Sequence, residues 1–292
     1  MDQQDWLAQQ FEQHRPHLRA VAYRMLGSLS EADDAVQDAW LRLSRVDADE
    51  IENLGGWLTT VVARLSLNML RSRNTRREQP LDVHVPDPVI DPADGTNPEH
   101  ETLLSDSVGL ALLVVLDTLS PPERLAFVLH DMFAIPFEEI AAILERSPEA
   151  TRQLASRARR RVRGAPAPDP DVGAQWEVVD AFLAAARDGD FDRLVALLDP
   201  DVVLRADGGA VAALTQHVQG AEAVAGRARM WSRVDLSTRR ALVNGAAGMV
   251  TFRDGQPFSI AALTIRDGKI VEMNFLADPE RVARLDLAAL GD

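Results

Sequence analysis

Along the first quarter of the chain the apolar positions recur every three to four residues. In "WLAQQFEQHRPHLRAVAYRML", Leu18, Val21, Ala22, Met25 and Leu26 share one helical face, and Gly27 closes the helix. "SLSEADDAVQDAWLRLSRV" opens on Ser30 as N-cap with Asp33 three residues on, and sets Ala32, Ala35, Val36, Ala39, Trp40 and Leu43 on one side. "GGWLTTVVARLSLNMLRSRNTRRE" predicts a third long helix with Trp57, Leu58, Val61, Val62, Leu65 and Leu70 as its apolar face.

The pattern then stops. "PLDVHVPDPVIDPADGTNP" carries five prolines among acids, which cannot build a core of its own and predicts a linker over 81–105. Its "VPDPVI" still has enough apolar surface to dock elsewhere. Helical spacing returns over 106–163. Ser120-Pro-Pro-Glu123 is a capping-box start with proline in the first turn, "PFEEIAAIL" is a short helix over 136–144, and Ser147-Pro148 starts the next one. A second Pro/Gly-rich linker spans 164–172.

From 173 onward two helices flank Gly189, and the period changes to two. "DVVLRAD", "LSTRRALV", "AGMVTFR", "PFSIAALTIR" and "KIVEMNFL" read as strands, with turns at Asp254-Gly255 and Asp267-Gly268 and a helix over 220–231 among them. The predicted organisation is two all-α modules, 1–80 and 106–163, followed by an α+β domain over 173–292 with a curved antiparallel sheet.

Composition narrows the chemistry. There is no cysteine, so no disulfide, thiolate metal site or cysteine nucleophile exists. The six histidines show no metal-ligand spacing; His14 and His17 lack further ligands, and no metal or cofactor is expected. The N-terminal stretch does not read as a signal peptide, and the longest apolar run, "GLALLVVL", is too short to span a bilayer, so a cytoplasmic protein without membrane attachment is expected.

Charge is uneven. The chain has a formal net charge of −14, yet residues 107–164 hold seven acids and eight bases, whereas residues 81–106 hold seven acids and no base. The stretch "SPEATRQLASRARRRV" sets Arg152, Arg157, Arg159, Arg160 and Arg161 against one acid, Glu149. On a helix, Thr151, Ala155, Ala158 and Val162 form a small-residue face bordered by Leu154, which packs on the preceding helix. A short helix, a three-residue turn and a basic helix make a helix-turn-helix. Arginine and glutamine at the start of its second helix suit guanine and adenine edges, and arginines further along suit phosphates. A solvated basic surface helix is the plain alternative.

Context favours the first reading. "ADDAVQDAWLRL" with "GGWLTTVVARLSLNMLRSR" resembles region 2 of extracytoplasmic-function (ECF) sigma factors, and "LSPPERLAFVLHDMFAIPFEEIAAIL" followed by "SPEATRQLASRARRRV" resembles their region 4. "ARDGDFDRLVALLDPDVVLRADGG" and "TIRDGKIVEMNFLADPERVARL" look like a SnoaL-like domain of the NTF2-like superfamily. The whole is similar to ECF sigma factors with a fused SnoaL-like extension, the sigma J type. That group's tryptophan-containing Pro-Glu-Pro linker motif appears here as "HVPDPVI" without the tryptophan, its glycine run as "DGGAV", and its terminal Asn-Pro-Asp-Lys-Leu motif as "ADPERV".

The resemblance implies an alternative sigma factor that directs RNA polymerase core to promoter DNA, and no enzyme. It implies −35 contacts by Arg152, Gln153, Ser156, Arg157 and Arg160. It implies −10 contacts by Asn53 in the "EIENLGG" loop and by Arg64, Asn68, Arg71, Arg73, Arg76 and Arg77. Core polymerase would be met by Asp33, Asp34, Gln37, Asp38 and Trp40. The C-terminal domain would modulate activity through intramolecular contact with the sigma modules or the linker. A pocket of Trp176, Asp207, His217, Trp231 and Asn274 would hold a small-molecule ligand, if any. Two rivals stay open: a ligand-responsive helix-turn-helix regulator, and a SnoaL-type cyclase or isomerase, for which no second carboxylate or nucleophile is convincingly placed.

Overall fold

Helix α1 (Gln3–Leu26) ends at Gly27, whose left-handed φ of 67° lets the chain turn. Ser28, the next residue, adopts extended backbone and caps helix α2 (Leu29–Leu43) by accepting from the Glu31 amide. The cap therefore sits two residues before the expected Ser30, because the glycine turn makes Ser28 the first residue free to take cap geometry. With α3 (Leu54–Arg76) these helices bury Phe11, Leu18, Val21, Met25, Val36, Leu43, Leu58 and Val62. The computed structural model describes residues 3–46, 51–76, 83–95, 109–231, 236–287 and 290.

The chain forms two compact units. The first comprises Met1–Gln79, Glu101–Asp106 and Val115–Gly164; the second comprises Pro80–His100, Ser107–Val114 and Ala165–Asp292. Helix α4 (Leu110–Asp117) crosses the division. In the first unit, α5 (Pro121–Phe127) starts on the expected capping box and runs into a π-helical turn over Val128–Met132. Helix α6 (Phe137–Leu144) stops at left-handed Glu145, and α7 (Pro148–Val162) starts at Ser147, which accepts from the Ala150 amide at 3.2 Å. Thr151, Ala155 and Ala158 are buried on α7 as the spacing predicts; Leu154, expected at the border of that face, is buried with them, and Val162 is half-buried.

The two helical modules pack within that unit. The Arg124 guanidinium donates to the Arg24 carbonyl at 3.2 Å and pairs with Asp117, and both ion-pair partners are buried. Phe133 takes the Arg24 guanidinium over its ring at 4.7 Å and the His17 ring edge-on at 5.2 Å. Burial, with His14 and Arg24 nearby, holds the His17 imidazole below its ordinary pKa, in the neutral form.

The second unit is α+β. Helix α8 (Val172–Asp188) is capped by Asp171 and ended by left-handed Gly189; α9 (Phe191–Leu197) leads into β2 (Leu198–Asp207). Then follow β3 (Gln216–Gln219), α10 (Ala221–Trp231), β4 (Ser237–Val243), β5 (Ala246–Arg253), β6 (Gln256–Arg266), β7 (Lys269–Leu276) and the short α11 (Pro279–Val282). With β1 (Ile90–Pro92), the open sheet has the order β1-β4-β5-β6-β7-β2-β3, and among the described strands only β2 and β7 pair in parallel. The helices cover one face around Val179, Phe182, Leu194, Val224, Met249 and Met273.

Two strands escaped the sequence reading, β3 and β1. The second corrects the linker. Residues Val85, Val89 and Ile90 are buried in the second unit, and Ile90 to Pro92 pair with Val243 to Ala241 of β4. Proline is tolerated there because an edge strand need not donate on its outer side. The β4–β5 turn helps hold the segment: Asn244, with φ 49°, accepts from the Val89 amide at 3.1 Å and donates its own amide to the Val89 carbonyl at 2.8 Å.

Candidate nucleic-acid interface and C-terminal cavity

On α7 the polar residues fall into two sets. Arg152 donates to Glu138 at 2.8 Å and stands over Phe137; Arg157 donates to Glu123 at 3.0 Å; Arg159 donates to Asp131 at 2.6 Å. Arg161 reaches the same Glu123 at 3.5 Å. Burial raises the Glu123 carboxyl, but the Ser120 hydroxyl and amide with Arg161 and Arg157 outweigh it and leave the pKa lowered, so it is ionised at neutral pH. Gln153, Ser156 and Arg160 form the other set, exposed at i, i+3 and i+7 on one open face. Arg159 and Arg161 were not singled out from the sequence; their ion pairs depend on acids 28 and 38 residues away, which no local pattern reveals.

The α2 candidates also divide. Asp34, Gln37 and Asp38 are exposed and are joined on that face by Leu41, which is 43% exposed and was missed. Asp33 is held by Arg19 at 2.6 Å, and Trp40 packs on Phe11 with ring centroids 5.2 Å apart, so both serve the packing of α1 on α2. Asn53 caps α3, its Oδ1 accepting from the Gly56 amide at 3.0 Å. Arg64, Asn68 and Arg71 lie exposed along one stripe of α3. Arg73 does not join them: it donates to the Leu26 carbonyl at 3.0 Å and pairs with Glu31, tying α3 to the α1–α2 corner. The Arg76 side chain and all of Arg77 lie outside the described residues.

In the second unit the three stretches "HVPDPVI", "DGGAV" and "ADPERV" meet at Asp207. Its Oδ2 accepts from the Val85 amide at 3.1 Å and from Arg281 at 2.8 Å, and lies 3.1 Å from His84 Nδ1. Arg281 also donates to Asp87 at 2.6 Å and to the Val85 carbonyl at 2.6 Å. Burial works to raise the Asp207 carboxyl, but His84, the Val85 amide, Arg281 and the Gly209 amide outweigh it and bring its pKa down to about 2. Gly209 is needed as glycine: its φ is 56°, and a Cβ there would stand 2.1 Å from Asp278 Oδ2.

A cavity of about 570 Å³ opens between α8, α10 and the sheet. Its walls are Phe182, Leu204, Met249, Phe258, Met273 and Phe275 among others, with Arg187, Arg227 and Arg240 at the solvent end. Of the expected pocket residues, Trp176, Asp207, His217 and Asn274 do not line it. Strand parity explains three of them. The cavity takes Leu204 and Ala206 from β2, Gln216 from β3, and Met273 and Phe275 from β7. Asp207, His217 and Asn274 are one residue out of step and point the other way. Asn274 is buried on that far face, donating to Glu272 at 2.9 Å, while His217 is exposed. Trp176 packs outside, under Arg240 at 5.3 Å. The Trp231 side chain lies outside the described residues. None of the described lining residues is Asp, Glu, His, Lys or Tyr. Among the described residues no group of three His, Asp or Glu is placed to hold a metal, and no helix is long and apolar enough to cross a membrane.

Comparisons with known proteins match these parts in order. The family models Sigma-70 region 2, Sigma-70 region 4 and SnoaL-like domain match residues 10–76, 109–162 and 179–273. The chain is 40% identical to the ECF RNA polymerase sigma factor SigJ of Mycobacterium tuberculosis, over 93% of this chain and 92% of that one. It is 35% identical to the probable ECF RNA polymerase sigma factor SigI of the same species, over 96% of each. The crystal structure of the M. tuberculosis SigJ protein superposes with a TM-score of 0.73 at 35% identity, covering 94% of this chain and 98% of that one.

Proposed function

The chain belongs to the ECF RNA polymerase sigma factors, alternative sigma factors that direct transcription initiation, and from that premise we propose how its residues divide the work. The observation that carries the division is the split on α7. Gln153, Ser156 and Arg160 are open and read the −35 element, Gln153 and Ser156 at base edges and Arg160 at phosphate. Arg152 and Arg157 join them only by exchanging a carboxylate for DNA. On α3, Arg64, Asn68 and Arg71 follow the −10 strand. Asn53, kept as the helix cap, offers its amide nitrogen to a flipped base. On α2, Asp34, Gln37, Asp38 and Leu41 meet core polymerase, with Asp33 and Trp40 holding the helix in place.

The protein works in the cytoplasm, where RNA polymerase is, and its C-terminal domain binds rather than catalyses. Acid–base chemistry needs a titratable group within hydrogen-bond reach of substrate, and the described cavity wall offers only arginines. Neither the cyclase reading nor the stand-alone regulator is favoured by a specific observation.

The same domain restrains the sigma modules through the linker. The support is Arg281, whose guanidinium bridges Asp207 of the sheet to Asp87 and Val85 of the linker. In transcription reconstituted with core polymerase, Gln153→Ala lowers output at least about fivefold, consistent with about 1–3 kcal/mol per base contact. Arg281→Ala raises output from the same promoter. Unchanged output from Gln153→Ala overturns the α7 assignment, and unchanged or lower output from Arg281→Ala overturns the restraint.

A further inference from the structure

The cavity of the second unit has a composition that specifies its occupant. About 570 Å³ falls in the range of small-molecule sites, and the wall is formed by aromatic and aliphatic side chains with a few hydroxyls, Ser237, Thr238, Thr251 and Ser259. Charge at the wall has one sign. Three arginines contribute, and no acid does among the described lining residues. Arg240 is already neutralised by Asp180. Arg187 on α8 and Arg227 on α10 are exposed and make no ion pair within the described structure. Two exposed guanidiniums thus line an apolar cavity in a segment, 165–292, that has nineteen acids against thirteen bases.

We propose that this cavity binds an amphipathic carboxylate, a molecule with an apolar body buried among Phe182, Met249, Phe258 and Met273 and a single anionic head held by Arg187 and Arg227. The apolar body supplies affinity by leaving water. The guanidiniums supply selectivity, because each forms charge-assisted, paired hydrogen bonds with a planar carboxylate that a hydroxyl or an ammonium cannot reproduce. With no acid or base on the described wall the molecule is held and not turned over. The inference goes beyond the transcriptional reading and stands or falls separately from it, since it asks only whether the molecule binds.

The probes are dodecanoate, a flexible chain, and 2-anthracenecarboxylate, a rigid fused ring, with dodecanol and dodecylammonium as neutral and cationic counterparts of the first. Each is titrated calorimetrically below its aggregation concentration into the full-length chain. At least one carboxylate binds one per chain, and if it is dodecanoate it binds at least about tenfold more tightly than its two counterparts. In Arg187→Gln/Arg227→Gln, two exposed positions whose replacement leaves thermal unfolding unchanged, carboxylate affinity falls at least tenfold. Ala228→Trp, which fills the cavity from α10, removes binding of all probes. No stoichiometric binding of either carboxylate overturns the proposal. So does equal binding of dodecanoate and dodecylammonium, or a carboxylate affinity that survives loss of both arginines.

Discussion

In the second unit Asp207 ties together the segment before β1, the turn after β2 and α11. Its folded pKa of about 2 lies below the ordinary 3.8, so the group stabilises the fold whenever it is ionised in both states, above about pH 4. That contribution, about 2 kcal/mol at 1.36 kcal/mol per unit, is lost as pH falls through the folded pKa toward 2. Urea unfolding of wild type and Asp207→Asn at pH 6 and pH 3 checks this. The stability gap between them narrows at pH 3, and a constant gap removes Asp207 as the titrating group. In sequence this residue was visible as part of "DGG" and was placed in a ligand pocket. The error was one of register. A period-two pattern says that Leu204, Ala206 and Asp207 lie on a strand, but it does not say which parity faces a concave side roofed by helices 20 residues away. Asn274 and His217 were misplaced for the same reason, and the contacts of Arg73 with Leu26 and Glu31 were not legible because those partners lie more than 40 residues upstream.

At the scale of the element, α7 shows how much a sequence reading carries and where it stops. Its start at Ser147-Pro148 and the burial of Thr151, Ala155 and Ala158 were legible, because caps and 3.6-residue spacing are local. The state of its charges was not. Glu123, on the first turn of α5, neutralises Arg157 and Arg161 while also closing its own capping box on Ser120. Glutamine preserves a capping box but not the charge. Glu123→Gln therefore leaves α5 in place and frees two guanidiniums for phosphate. Promoter binding by the polymerase holoenzyme tightens, and the slope of log affinity against log salt steepens by about 0.9 per phosphate newly contacted. An unchanged slope in a salt titration means that Arg157 and Arg161 do not reach DNA. Strand β1 marks the opposite limit. Three residues between prolines have no readable period, and their strand state is imposed by β4 and by Asn244 in the adjoining turn. Docking of "VPDPVI" was legible as apolar surface without a core; where it docks was not.

For the molecule as a whole, the opposition between an acidic chain and a basic helix acquires a physical meaning. Duplex affinity comes largely from lysines and arginines that replace condensed counterions, so what counts is unpaired positive charge on the binding face. The chain carries a formal net charge of −14, and on α7 Arg152, Arg157, Arg159 and Arg161 already have carboxylate partners, which leaves Arg160 as the basic side chain of the open face. Such a protein gains little from counterion release when alone, and its acidic remainder is repelled by the duplex. On the division of work proposed above, polymerase core supplies the missing grip, and the few base contacts of α7 select among sites already held. The free chain therefore binds its promoter no better than about 10 μM at 150 mM salt, within the range of non-specific binders, whereas the holoenzyme binds it specifically. Fluorescence anisotropy on labelled promoter DNA, with and without core, measures the difference. Nanomolar specific binding by the free chain would show that α7 exchanges its carboxylates for phosphates unaided, and polymerase would then be needed for catalysis alone and not for recognition.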